Sequence, residues 1–132
     1  MKAKNDDMFN YFLIATGAAL GGAFRFWVSG SVYRFLPANF PYGTLTVNVL
    51  GSFLLGFIIF FLDAKKIISP ELKIFLTIGF CGGFTTFSTF AFETVSLLKD
   101  TELFFAFINI LLNVVLTLGA VYLSYLVAKS LA

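Results

Sequence analysis

Charged residues divide this chain into four uncharged runs, each close to the length a helix needs to cross a bilayer. A hydrocarbon core ~30 Å thick takes about 20 helical residues. Residues 8–24 lie between Asp7 and Arg25, and 35–62 between Arg34 and Asp63. Residues 74–92 lie between Lys73 and Glu93, and 103–128 between Glu102 and Lys129. The first run continues through Arg25 to about Phe35, because FRFWVSGSVYRF stays mostly apolar. The expected fold is an all-α membrane protein, a single four-helix transmembrane domain over 1–132 with spans near 8–35, 42–62, 72–98 and 102–129. The connections LPANFPY, DAKKIISPE and KDTE are short and rich in turn residues, which suits antiparallel neighbours.

Composition supports the same class. Hydrophobic residues make up 59% of the 132 residues and charged residues 12%, and the small size leaves no interior to hide that much apolar surface. A soluble globule and a disordered chain are both excluded. With no His there is no imidazole base or His metal ligand, and a single Cys (Cys81) allows no internal disulfide. A net charge of +2 gives no footprint for nucleic acid. The stretch MKAKNDD carries no net charge and no clear cleavage site follows it, so the first span reads as retained.

Four spans put both termini on one side. Lys2, Lys4, Lys65, Lys66, Lys73 and Lys129 lie there, against Arg34 and Lys99 opposite, with Arg25 added if it reaches that interface. The positive-inside rule favours cytoplasmic termini.

Polar residues inside the spans carry the functional information, since they cost free energy at membrane depth unless partnered. In the second span Thr44, Asn48, Ser52 and Gly56 recur every fourth residue along one helix side. They either pack against a neighbouring helix or, for Asn48, face water or a ligand. In the fourth span Asn109, Asn113 and Thr117 form a second stripe with Phe105 one step before it, which is either an interhelical seam or a pore wall. The third span, TIGFCGGFTTFSTFAFETV, pairs Gly82 with Gly83 ahead of Thr85, Thr86, Ser88 and Thr89. Paired glycines and hydroxyls predict a break near 82–86, where freed carbonyls can coordinate a cation. An unbroken, closely packed helix is the other reading. Phe87 and Phe90 share a face, and their ring edges are positive. Arg25 either snorkels to the interface or draws anions into a vestibule. Glu93 is either an interfacial charge or a partner for a hydroxyl or a permeating species.

GTLTVN at 43–48, GFCGGFTTFSTF at 79–90 and the following Glu93 resemble the Fluc (CrcB-type) fluoride channels. The resemblance spans nearly the whole chain. It implies a fluoride-selective channel, not an enzyme, that lets cytoplasmic fluoride leave by passive electrodiffusion. It implies a second copy inserted antiparallel (a dual-topology homodimer) in the cell membrane, with two pores. It also implies a structural Na⁺ on the two-fold axis, held by the backbone carbonyls of Gly82 and Thr85. By motif position the ion path takes Asn48, Phe87 and Phe90, with Ser88, Thr89, Glu93, Asn109, Asn113, Thr117 and Thr44 along it and Arg25 at the vestibule. The Lys/Arg bias leaves open a fixed-topology half of a heterodimer. The main competing class is a small dual-topology, proton-coupled cation or multidrug exporter. It needs an embedded acid in the first span, where the sequence has Arg25. A membrane enzyme would have only Ser88, Thr89 and Glu93 to work with. A purely structural subunit would use the stripes as packing seams.

Overall fold

A computed structural model describes residues 2–131, with side chains from 7 to 131. Lys2 and Lys4, used in the charge balance, lie outside the described side chains. The described chain is all helical: α1 (Lys2–Val32), α2 (Tyr42–Phe57), α3 (Pro70–Ile74), α4 (Gly82–Phe84), α5 (Phe87–Lys99) and α6 (Leu103–Ser130), with π-helical segments at Ile58–Asp63 and Phe75–Cys81. Four stretches are long and apolar enough to cross a membrane: Asp7–Val32, Tyr42–Asp63, Pro70–Lys99 and Leu103–Ser130.

The helix ends follow from local chemistry. Ser69 caps α3 by accepting from the Leu72 N–H at 3.2 Å, and Pro70 stands in the first helical turn, where a missing N–H costs nothing. The second and third spans end in turns of another kind. After Asp63 the chain turns through Lys66 at φ 56°, and after Lys99 through Thr101 at φ 62°. In each turn a backbone N–H reaches back five residues, Ile67 to Leu62 O at 2.8 Å and Glu102 to Leu97 O at 2.9 Å. This is the Schellman closure, here with a left-handed residue other than the usual glycine. Lys73 pairs with Asp63 at 2.7 Å across the second loop, a partly exposed pair that contributes at most about 1 kcal/mol.

Packing runs α2 against α6 and α1 against the Phe75–Cys81 segment. The second contact depends on absent side chains: a Cβ on Gly79 would sit 3.0 Å from Gly17 Cα, and one on Gly83 would sit 2.5 Å from the Ala18 carbonyl. Little of each span is covered by the chain itself. Only 11–33% of each span's most apolar window is buried, so most of the apolar surface is left for lipid or another chain.

The third span is interrupted at Thr85 (φ −86°, ψ 160°) and Thr86 (φ −153°, ψ 115°), both extended. Gly82 and Gly83, expected to be part of the break, are helical. Gly83 serves close approach to α1, and the β-branched threonines leave the helix. Thr85 still closes the preceding turn, its N–H at 3.0 Å and its Oγ1 at 2.9 Å both donating to Cys81 O, while Thr86 Oγ1 accepts from the Thr89 N–H at 3.1 Å and so caps α5 as a new helix.

Candidate functional site

The interruption is held by an amide from another helix. The Thr86 N–H, which an unbroken helix would give to the Gly82 carbonyl, goes to Asn48 Oδ1 at 2.8 Å. Asn48 Nδ2 returns a bond to Thr86 O at 3.1 Å and gives a second to Asn113 Oδ1 at 3.0 Å. Asn48 thus clamps one residue's backbone from both sides and uses both amide hydrogens. The i, i+4 stripe of α2 meets the i, i+4 stripe of α6 at this point.

From Asn113 the bonds continue. Asn113 Nδ2 donates to Asn109 Oδ1 at 2.9 Å and to Asn109 O at 3.1 Å. Asn109 Nδ2 donates to Thr94 Oγ1 at 2.9 Å, and Thr94 Oγ1 donates to Phe90 O at 2.8 Å. Thr117 Oγ1 turns back to Asn113 O at 2.6 Å. Asn109 is 0% exposed, so this part of the stripe is a seam between α6 and α5 within the subunit.

Two open cavities flank the interruption. One, of about 330 Å³, is lined by Asn48, Gly82, Thr85, Phe87, Phe90 and Thr117 among others. The other, of about 430 Å³, takes Arg25, Ser29, Tyr33, Thr44 and Thr89. Thr86 lines both. Phe87 and Phe90 meet edge to face, with centroids 5.4 Å apart and planes at 60°. Phe90 is buried, whereas Phe87 is 78% exposed and free to meet a neighbouring chain or the cavity. Ser88 and Thr89 are exposed at the start of α5, and the Thr86 hydroxyl lies 3.3 Å from Ser88 Oγ and 3.0 Å from Thr89 Oγ1.

The two charges at depth both have partners. Arg25 Nη1 donates to Thr85 O at 3.3 Å, which turns it toward the interruption. Glu93 Oε1 accepts from Thr44 Oγ1 at 2.8 Å, while Oε2 is buried with no hydrogen-bond partner among the described residues. Among the described residues no group of three or more His, Cys, Asp or Glu side chains is placed to hold a metal ion.

The model of the CrcB-like protein family (Camphor Resistance, CrcB) matches residues 12–125. The chain belongs to the CrcB family. CrcB relatives include the "Fluoride-specific ion channel FluC" of Geobacter sp. (strain M21), 47% identical over 118 residues, which cover 89% of this chain and 95% of that one. The protein of the same name from Geobacter metallireducens is 47% identical over 124 residues, covering 94% of this chain and 100% of the relative. That of Pyrococcus horikoshii is 47% identical over 119 residues, covering 89% and 94%. With four helices of spanning length, this CrcB chain is a multi-pass membrane protein.

Thr86 and Thr94 are the residues that sequence reasoning passed over as site elements. Thr86 stood only as one hydroxyl in a run. Thr94 lies four residues beyond Phe90, on the same helix side, and that spacing was the available signal.

Proposed function

We propose that this CrcB-family chain is a fluoride channel that lets the ion leave the cytoplasm passively. The observation that carries the reading is that Thr86, clamped by Asn48, lines two cavities, one on the Arg25 side and one on the Phe87–Phe90 side. Fluoride is small and strongly hydrated, so a path must replace its water with donors along the way. Ser88 and Thr89 offer hydroxyls, and the Phe87 and Phe90 edges add a weaker positive field; Asn48, Asn113, Thr44 and Thr117 stand on the cavity walls with their donors bonded within the chain, and each would exchange such a bond for one to the ion. Asn109 and Glu93 stand beside this path, and Arg25 attracts anions at its vestibule. The positive end of α5 begins at the interruption and favours negative charge there.

The proposal includes a second copy inserted antiparallel, which would cover apolar surface that one chain leaves open and complete two paths. It also includes a structural Na⁺ held by the Gly82 and Thr85 carbonyls. These residues fit that group: Gly82 O has lost the Thr86 N–H, and Thr85 O, while accepting from Arg25, keeps a second lone pair. When bound, the cation would tie two chains together and offset the cost of an anion in a low-dielectric site. A proton-coupled exporter would need an acid in the first span, where Arg25 is the only charge between residues 8 and 32.

The test is fluoride efflux from liposomes holding the purified protein alone, read with a fluoride electrode beside a chloride control. Rapid fluoride loss without chloride loss or a proton gradient is the expected result. Absence of flux from a well-folded sample would sink the self-sufficient channel. A fixed-topology heterodimer half would then be the next reading.

A further inference from the structure

We infer that Thr94 and Asn109 are positioning residues that fix the Phe90 ring from behind, without meeting the permeating ion. A threonine in a helix often donates to the carbonyl four residues back, so the bond from Thr94 Oγ1 to Phe90 O at 2.8 Å would by itself mean little. The second bond changes its meaning. Asn109 Nδ2 donates to the same hydroxyl at 2.9 Å, which fills an acceptor site on it and sets its hydrogen toward Phe90.

Asn109 is itself fixed, because Asn113 Nδ2 donates to its side-chain oxygen at 2.9 Å and its backbone oxygen at 3.1 Å. Asn113 is in turn held by Asn48 at 3.0 Å. Phe90 therefore has its backbone tied to α6 four residues beyond the Asn48 clamp on Thr86. The first turn of α5 is held at both ends, and the ring pair Phe87–Phe90 rides on that turn.

Asn109 is fully buried and lies on the wall of neither cavity, and Thr94 is 7% exposed. A donor that served the ion would have to leave these bonds and cross the α5–α6 contact. Holding α5 in place requires no such movement.

The effect on flux rests on the proposed permeation path, so the test pairs flux with a readout that needs no fluoride. 4-Fluorophenylalanine is placed at Phe90 in the full chain, and its ¹⁹F resonance is recorded in fluoride-free vesicles. Thr94→Val and Asn109→Leu remove the hydroxyl and the amide at similar volume, and Thr94→Ser keeps the hydroxyl. The expected result is a shifted or broadened resonance in the first two variants and a native one in Thr94→Ser. Fluoride efflux should fall by about tenfold in each of the first two, the scale of one buried hydrogen bond. The double variant should fall no further, since both residues act through one bond chain. If Asn109→Leu fails to fold, Thr94→Val with its Thr94→Ser counterpart decides alone. A native resonance in Thr94→Val overturns the positioning role. A shifted resonance with native flux supports positioning and counts against Phe90 in the ion path.

Discussion

Asn48→Asp replaces the donating end of the clamp with a carboxylate oxygen and leaves the accepting end intact. The bond from the Thr86 N–H at 2.8 Å survives. The two bonds from Nδ2, at 3.1 Å to Thr86 O and 3.0 Å to Asn113 Oδ1, become oxygen facing oxygen. Leaving a buried acceptor without its donor costs about 1–3 kcal/mol, so the two together cost about 2–6 kcal/mol before relaxation. The new charge also stands on a wall of the proposed path. At ~4 Å and an effective dielectric near 20, it repels an anion by about 4 kcal/mol, which corresponds to about a thousandfold in rate. Liposome efflux with a fluoride electrode measures the loss, and size-exclusion chromatography checks that the sample is monodisperse. Asn48→Leu breaks the same clamp without adding charge. The expected order of flux is native, then Asn48→Leu, then Asn48→Asp. A monodisperse Asn48→Asp protein that conducts within about threefold of native would refute both the placement of Asn48 on the path and a charge repulsion of this size.

Other substitutions test separate features. Phe87→Ile should cut flux with little loss of stability, because Phe87 is 78% exposed; Phe90→Ile should cut flux and also lower the thermal midpoint, because Phe90 is buried. Equal stability losses in the two would contradict that asymmetry. Thr44→Val removes the partner of Glu93 Oε1 and leaves the carboxylate with two unpaired oxygens, which should destabilise the protein by about 1–3 kcal/mol in a thermal aggregation assay. Gly83→Val would push a side chain into the Ala18 backbone, with its Cβ 2.5 Å from the carbonyl, and should cost about 1–3 kcal/mol or prevent folding. Thr101→Gly relieves a left-handed β-branched residue at φ 62° and should stabilise by about 1 kcal/mol, read as a higher thermal midpoint with unchanged flux.

The spans were legible because charge at membrane depth is expensive, so Asp63, Lys99 and Glu102 mark span ends almost by themselves. The polar stripes were legible as stripes, since Asn109, Asn113 and Thr117 repeat at helical spacing. What they faced was not. The pairing of Asn48 with Thr86 and Asn113 depends on how three helices are placed, and periodicity describes only one at a time. The interruption was expected from the glycine pair and the neighbouring hydroxyls together; the threonines do leave the helix, whereas Gly83 is a packing surface for Ala18. Helix propensity scores a glycine the same way whether it breaks a helix or lets another helix approach. The π-helical segments at Ile58–Asp63 and Phe75–Cys81 had no mark in composition or periodicity.

The Asn48–Asn113 bond also orders events during synthesis. A chain is made from its N-terminus, so the second and third spans leave the ribosome before the fourth. Asn48 and Thr86 can pair at that stage, but Asn113, which takes the second amide hydrogen of Asn48, arrives with α6. Until then one amide hydrogen of Asn48 lacks its Asn113 partner, and Thr86 is secured from α2 alone. The last helix to be made is thus the one that locks the middle of the protein. A chain truncated before α6 should be recognised as unfinished by membrane quality control, even though three of its four spans are complete.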